Sequence, residues 1–169
     1  QSGPDARRAT QALYHTLKPL THTQQQVRDL VAHAADRGIR IVPEFDAPGH
    51  SYAMLLAYPQ YAAQPVTTPL DPKRVVRAAF DPTNPDTYVF LARLYHEMAG
   101  LFPDPVFHIG GDEVVAKQWA QSPHIAAYMK QHHIASVAAL QADFAAFSTC
   151  WSGLTAGSTP AACTLATTA

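Results

Sequence analysis

Six side chains in this sequence have the chemical types and grouping to move protons or stabilise charge. Glu44, Asp46 and His50 form one set, and His108, Asp112 and Glu113 the other. The second set lies in His108-Ile109-Gly110-Gly111-Asp112-Glu113-Val114, where two glycines break an apolar run just before adjacent carboxylates. Neighbouring side chains on a regular strand point to opposite faces, so Asp112 and Glu113 could not enter one pocket together. Gly110 and Gly111 open backbone angles that other residues avoid, which lets a strand end re-aim the side chains after it. Two ionised carboxylates side by side repel, so one holds its proton to higher pH and becomes a usable acid. His50 near a carboxylate would tune its proton affinity, and Asp46 would orient that histidine. Such carboxylates suit the cleavage of a glycosidic bond, where one protonates the leaving oxygen. Two plainer readings stay open on these residues alone. Gly-Gly-Asp is ordinary turn chemistry, and His with Asp at short spacing can bind zinc, although the chain has no His-x-x-x-His pair and no cysteine ligand set.

Holding these groups together requires two strands that end side by side. Pro105-Val106-Phe107-His108-Ile109 reads as a short apolar strand, and Ile39-Arg40-Ile41-Val42-Pro43-Glu44-Phe45 as a buried one rich in β-branched residues. Pro43 has no N–H to donate and so belongs near that strand's end. Asp46-Ala47-Pro48-Gly49-His50 is the loop leaving it. Upstream, Thr23-Gln24-Gln25-Gln26 predicts a capping box, and Val27, Leu30, Val31, Ala34 and Ala35 come after it at helical spacing until Gly38 stops the helix. Residues 57 to 83 read as a long proline-bearing connection, usually functional or mobile. Asn84-Pro85-Asp86 opens a helix with a buried stripe of Tyr88, Leu91, Ala92, Tyr95, Met98 and Ala99. Ser122-Pro123 opens another, and Ser136 a further one to residue 147. Residues 1 to 20 carry no firm element.

Helices alternating with short apolar strands argue for an α/β chain with a parallel sheet and right-handed crossovers. Ligands in such folds bind at the carboxyl ends of the strands, which is where both unusual loops would converge. From Ser148 the sequence turns to Thr, Ala, Ser, Gly and Pro, and residues 148–169 read as a disordered low-complexity tail.

Composition narrows the class of partner. The 169 residues are 47% hydrophobic and 15% charged, the balance of a globular chain with a core. A net charge of −1 gives no field that favours nucleic acid or an anionic membrane. No apolar run approaches the roughly 20 residues of a membrane helix. The first residues lack a signal peptide's regions and read like the middle of a longer chain. Cys150 and Cys163 are too few for a disulfide framework.

Both motif stretches, from Arg37 to His50 and from His108 to Val114, resemble the signature stretches of glycoside hydrolase family 20, the β-N-acetylhexosaminidases. The resemblance continues through Tyr58-Pro59, Asp81-Pro82-Thr83-Asn84, Phe102-Pro103-Asp104 and Trp119, over roughly residues 20 to 147. It implies part of a (β/α)8 barrel, with the two strands as its third and fourth, and residues 1–147 as a partial catalytic domain. It implies a substrate-assisted retaining mechanism, the exception to the usual two-carboxylate scheme. Glu113 would be the general acid/base. Asp112 would hold the substrate's 2-acetamido N–H and stabilise the oxazolinium ion. His50 and Asp46 match positions that support the acid, and His108 and Glu44 match structural positions of the motif. The substrate would be a glycan ending in N-acetylhexosamine, in a periplasmic, secreted or lysosomal setting, with no metal or organic cofactor.

The departures are as informative as the match. A complete barrel takes about 250 residues, and the first-strand arginine and later aromatic residues of the sugar pocket find no counterpart here. Open strand edges predict self-association and weak or absent activity. A truncated fragment that at best binds sugar is therefore the alternative to an active enzyme. Gly-Gly-Asp-Glu also resembles the signature of diguanylate cyclases, but there it sits on a hairpin followed by a strand with an aromatic residue. Here Val114, Trp119 and a proline-opened helix come next.

Overall fold

The computed structural model describes residues 22–66, 77–111, 114 and 116–152, with side chains through 147. Two segments, residues 43–47 and 106–109, run side by side in the parallel sense. The Phe45 N–H donates to the His108 carbonyl at 3.0 Å, the Ala47 N–H to Ile109 at 3.2 Å, and the His108 N–H to Pro43 at 2.9 Å. Glu44 and His108 form a single parallel bridge. The two strands expected over 39–45 and 105–109 are thus reduced to an isolated bridge. Pro43 lends only its carbonyl, and Gly110 and Gly111, at φ +68° and +109°, leave the extended region immediately after.

Alternation along the pair sorts its side chains into two faces. Phe45, Ala47, Phe107 and Ile109 join the larger apolar cluster, with the Phe45 and Phe107 rings stacked at 5.3 Å. Glu44, Asp46 and His108 take the opposite face. The apolar face is covered by α3 (Pro85–Ala99) through Leu91, Ala92 and Tyr95, and by α6 (Val137–Ser152) through Phe144 and Phe147. Asn84 caps α3 through its side chain, Pro85 takes the first turn, and the expected stripe is buried at Leu91, Ala92 and Tyr95. Thr87 adds to that buried face.

The helix α1 (Gln24–Ala35) starts as expected. Thr23 Oγ1 accepts from the Gln26 N–H at 3.2 Å, and Gln26 Oε1 accepts from the Thr23 N–H at 2.8 Å. Its apolar stripe is not buried as read: only Ala34 is, and Leu30 is 55% exposed. Periodicity records a face suited to burial and says nothing of what covers it. The turn at Gly38, φ +69°, anchors the helix end through the Ile39 N–H to Ala34 bond.

Of the connection expected over residues 57 to 83, residues 67–76 lie outside the described residues, and the described remainder is less irregular than expected. The helix α2 (Tyr52–Ala57) leads into a 3₁₀ turn at Pro59–Tyr61, and an antiparallel bridge between Ala62 and Phe80 closes the loop. Two short elements come after the Gly-Gly turn: α4 (Ala116–Ala120), which sequence periodicity cannot detect in so few residues, and α5 (Pro123–Gln131). Trp119, Ile125, Leu140, Ala63 and Ala79 form a second apolar cluster, against which Val114 packs. Among the described residues, the largest fully buried side chains include Trp119, Phe80, Phe144, Leu55, Leu91 and Ile125, and burial of each Leu, Ile or Phe stabilises the fold by about 1.5–3 kcal/mol. α6 contributes to both clusters, which ties the helix firmly to the rest. It also runs to Ser152, five residues past the expected end and into the expected tail. Ser148, Thr149, Cys150 and Trp151 are mediocre helix formers but not breakers, each costing at most about 0.7 kcal/mol relative to Ala. The first breaker is Gly153. Residues 1–21 and 153–169 lie outside the described residues.

Candidate active site

The polar face of the parallel pair gathers three of the six residues that the sequence singles out, Glu44, Asp46 and His108. Glu44 Oε1 lies 3.1 Å from His108 Nδ1, and that same nitrogen is 3.1 Å from the Gly110 N–H. One ring nitrogen cannot serve both contacts at once. If Nδ1 is unprotonated it accepts from Gly110; if protonated it donates to Glu44. Both side chains are largely exposed. One register step on, Asp46 Oδ1 accepts the Gly111 N–H at 2.8 Å, so a carboxylate on one segment holds the turn that ends the other. The approach at Gly110 is closer still. A Cβ there would collide with the Asp46 carboxylate and lie 2.7 Å from its Cα, so only glycine fits.

His50 leaves the first segment on a tight loop and has φ +49°, a left-handed conformation uncommon outside glycine. The loop is held from within by Ser51, whose hydroxyl is 2.7 Å from the Gly49 carbonyl and 3.1 Å from that of Asp46. Behind it, the Phe80 N–H donates to the Pro48 carbonyl at 3.0 Å, and the Trp119 indole donates to the Phe80 carbonyl at 2.9 Å. The His50 ring is exposed. Asp112 and Glu113, the expected catalytic pair, lie outside the described residues. The chain is fixed on both sides of them: by hydrogen bonds at Gly111 and by the packing of Val114 in the second cluster.

Two braces had no signal in the sequence pattern. Asp81 Oδ1 accepts both the Thr83 N–H and its hydroxyl, while Oδ2 lies 2.7 Å from His124 Nε2. His124 Nδ1 in turn lies 2.8 Å from Ser122 Oγ. These are the residue types of a hydrolytic triad, but Ser122 is 1% exposed and no substrate could reach it. The chain of bonds instead ties the Asp81 loop to the start of α5. Nearby, burial pushes the Tyr88 phenol far above its ordinary pKa, and its hydroxyl donates to the Pro82 carbonyl at 2.6 Å. The second brace is Gln141, whose Nε2 donates to the Gly111 carbonyl at 2.6 Å. Among the described residues, no group of three or more His, Cys, Asp or Glu could hold a metal ion.

The model of the glycosyl hydrolase family 20 catalytic domain matches residues 4–151, nearly the whole chain. The chain belongs to family 20. Relatives include β-hexosaminidase subunit A1 of Dictyostelium discoideum, 38% identical over 121 residues, covering 72% of this chain and 22% of that protein. The β-hexosaminidase subunit beta of Sus scrofa is 38% identical over 113 residues, with 65% and 20% covered. Among solved structures, the Flavobacterium johnsoniae chitobiase matches with a TM-score of 0.72 at 39% identity, over 79% of this chain and 20% of that one. The chain thus spans about a fifth of the length of the curated relatives it matches. A family 20 catalytic domain is a TIM barrel, and a parallel pair covered by helices on one face accords with that architecture.

Proposed function

We propose that this chain carries the acid/base centre of a β-N-acetylhexosaminidase, which removes terminal non-reducing N-acetylhexosamine from glycans. The observation that carries the reading is the Asp46–Gly111 bond in a family 20 chain. It pins the turn before Asp112-Glu113 at the carboxyl end of a parallel pair, where α/β folds place their sites. The pair would be the third and fourth strands of the barrel, and residues 1–147 part of its catalytic domain. β-Hexosaminidase and chitobiase are the names borne by its relatives and structural neighbours.

In this reading Glu113 donates a proton to the glycosidic oxygen as the bond from the sugar's C1 to that oxygen breaks. The substrate's own acetamido oxygen attacks C1 and forms the oxazolinium ion. Asp112 accepts a hydrogen bond from the acetamido N–H and stabilises the positive charge that develops there. Glu113, now a carboxylate, takes a proton from water as that water attacks C1 and the C1–oxygen bond of the oxazolinium ring breaks, which restores the acetamido group and retains the anomeric configuration. Asp46 holds the turn that carries both residues, and His50 supports the acid from the neighbouring loop.

The test is release of p-nitrophenol from p-nitrophenyl N-acetyl-β-D-glucosaminide by the purified protein and its Glu113→Gln variant. Turnover that the variant lacks supports the reading. A folded protein without turnover overturns it for this chain and leaves a sugar-binding role. The apolar side chains Ile39 and Val42, which lead into the first paired segment, and Val106 on the second are 58%, 41% and 49% exposed, which supports association of the chain with itself along the flanks of the pair. A molar mass that stays monomeric at every concentration would count against that association.

A further inference from the structure

The Gly110–Gly111 turn has no side chain of its own to fix its shape. Both residues have positive φ, and among the described residues a Cβ at Gly111 would meet nothing within 4 Å, so their packing does not confine it. Glycine crosses between backbone basins at little steric cost. Whatever holds this turn must act on its peptide groups. Two hydrogen bonds act on Gly111, and the Gly110 N–H makes a third to His108 Nδ1 at 3.1 Å when that nitrogen is unprotonated. The N–H of Gly111 is held by Asp46, and its carbonyl by Gln141 Nε2 at 2.6 Å. A peptide unit is planar, so the direction of the Gly111 carbonyl sets the plane in which the chain enters Asp112.

We propose, on the strength of the function proposed above, that Gln141 is a positioning residue for the acid/base pair. It fixes the orientation of the Gly111–Asp112 peptide from outside the polar face. The position is well suited to that task. Gln141 lies on α6 between Leu140, 2% exposed in one apolar cluster, and Phe144, 0% exposed in the other. A glutamine carried on a helix anchored at both neighbours presents its amide with little freedom. Its donor meets a carbonyl that the polar face itself leaves to it, 30 residues back along the chain. Asp46 and Gln141 therefore bracket Gly111 from the preceding segment and from the following helix.

The variants that test this are Gln141→Met, which keeps length and packing but has no donor, and Gln141→Lys, which restores one. Two readouts are taken on each: steady-state kinetics with p-nitrophenyl N-acetyl-β-D-glucosaminide, and hydrogen exchange of the Gly111 amide followed by NMR. For Gln141→Met, kcat is expected to fall by about tenfold to a hundredfold, with KM unchanged, and Gly111 exchange is expected to accelerate. Gln141→Lys should move both back toward wild type, and the melting temperature should stay that of the wild type. Wild-type kcat and wild-type exchange in Gln141→Met would overturn the proposal, as would a lowered melting temperature with neither of them changed. A wild-type protein without turnover overturns the functional reading instead. The exchange measurement then decides by itself whether Gln141 restrains the turn.

Discussion

The two turns that leave the parallel pair are stabilised in opposite ways. The turn from Asp46 to Ser51 is closed on itself. Ser51, 1% exposed, reaches back to the carbonyls of Asp46 and Gly49, and the Phe80 N–H backs the loop at Pro48. The Gly110–Gly111 turn has no side chain of its own and is held by groups outside it: Asp46 and Gln141 at Gly111, and His108 Nδ1 at the Gly110 N–H. A self-closed loop makes its contribution to stability locally. A turn held from outside links three elements, so disturbing any one of them reaches the residues beyond the turn. The difference predicts that removing a side-chain group that holds the first turn registers mainly in stability, and removing one that holds the second mainly in activity, whereas a side chain added within the second turn strains the fold itself.

The largest effect should come from Gly110→Ala. The new methyl collides with Asp46, and the positive φ adds backbone strain, for a combined loss of about 2–5 kcal/mol and displacement of the turn. Gly111→Ala is the control within the same turn. It meets no neighbouring atom, so only its backbone strain, about 1–3 kcal/mol, is felt. Urea midpoints of the two variants check this. Equal losses would mean that contact with Asp46 is not what selects glycine at 110.

A finer comparison sets Ser51→Ala against Asp46→Asn. Removing the buried Ser51 hydroxyl should lower stability by about 1–3 kcal/mol, while kcat in the folded protein stays that of the wild type. Asp46→Asn keeps an oxygen for the Gly111 N–H but loses the charge, and charged hydrogen bonds are about twice as strong as neutral ones. Its stability should change less than that of Ser51→Ala and its kcat more. Denaturation curves beside kcat values for both variants decide the matter. If both lose stability and activity in the same proportion, the two turns are one cooperative unit and the distinction fails.

The same division separates the features legible in the sequence from those that were not. Local chemistry was legible: the Thr23–Gln26 capping box, the Asn84 cap of α3, the Pro123 helix start and the short apolar run that holds Phe107 and Ile109. So were the two glycines as a break. Contacts between distant residues were not. Nothing in the periodicity of α6 marks Gln141, because a partly buried polar position on a helix reads like any solvated one. Nothing in the pattern around His124 marks its contacts: the side chain is exposed, and it also reaches Asp81 across 43 residues of sequence and Ser122 beside it. The strands read longer than the ladder they form because β-branched composition signals an extended chain, whereas pairing also needs donors, and Pro43 has none. Asp112 and Glu113 were singled out by residue type and by resemblance to family 20, and the structure adds how the chain beside them is held.

The smallest effect is expected at the other end of the pair. Arg40 and Asp104 meet before the paired residues begin, with Nε to Oδ2 and Nη2 to Oδ1 both at 2.8 Å, and Asp104 also accepts the Val106 N–H at 2.9 Å. The bond from Arg40, and after it the one from Val106, holds the Asp104 carboxyl down at about 2. A carboxylate whose pKa is lower folded than unfolded stabilises the fold fully above its unfolded value, about 3.9, and loses that contribution as pH falls toward the folded value. Asp104→Asn should therefore melt slightly below the wild type at pH 7. The gap should narrow from about pH 4 downward and close near pH 2. Because this clamp sets the register of the two segments far from their polar end, kcat at pH 7 should be unchanged. Melting curves across that pH range, with kcat measured at pH 7, test both halves. A gap that stays constant with pH would remove the Arg40–Asp104 pair as its source. A loss of kcat would mean that the register at this end reaches the Gly-Gly turn after all.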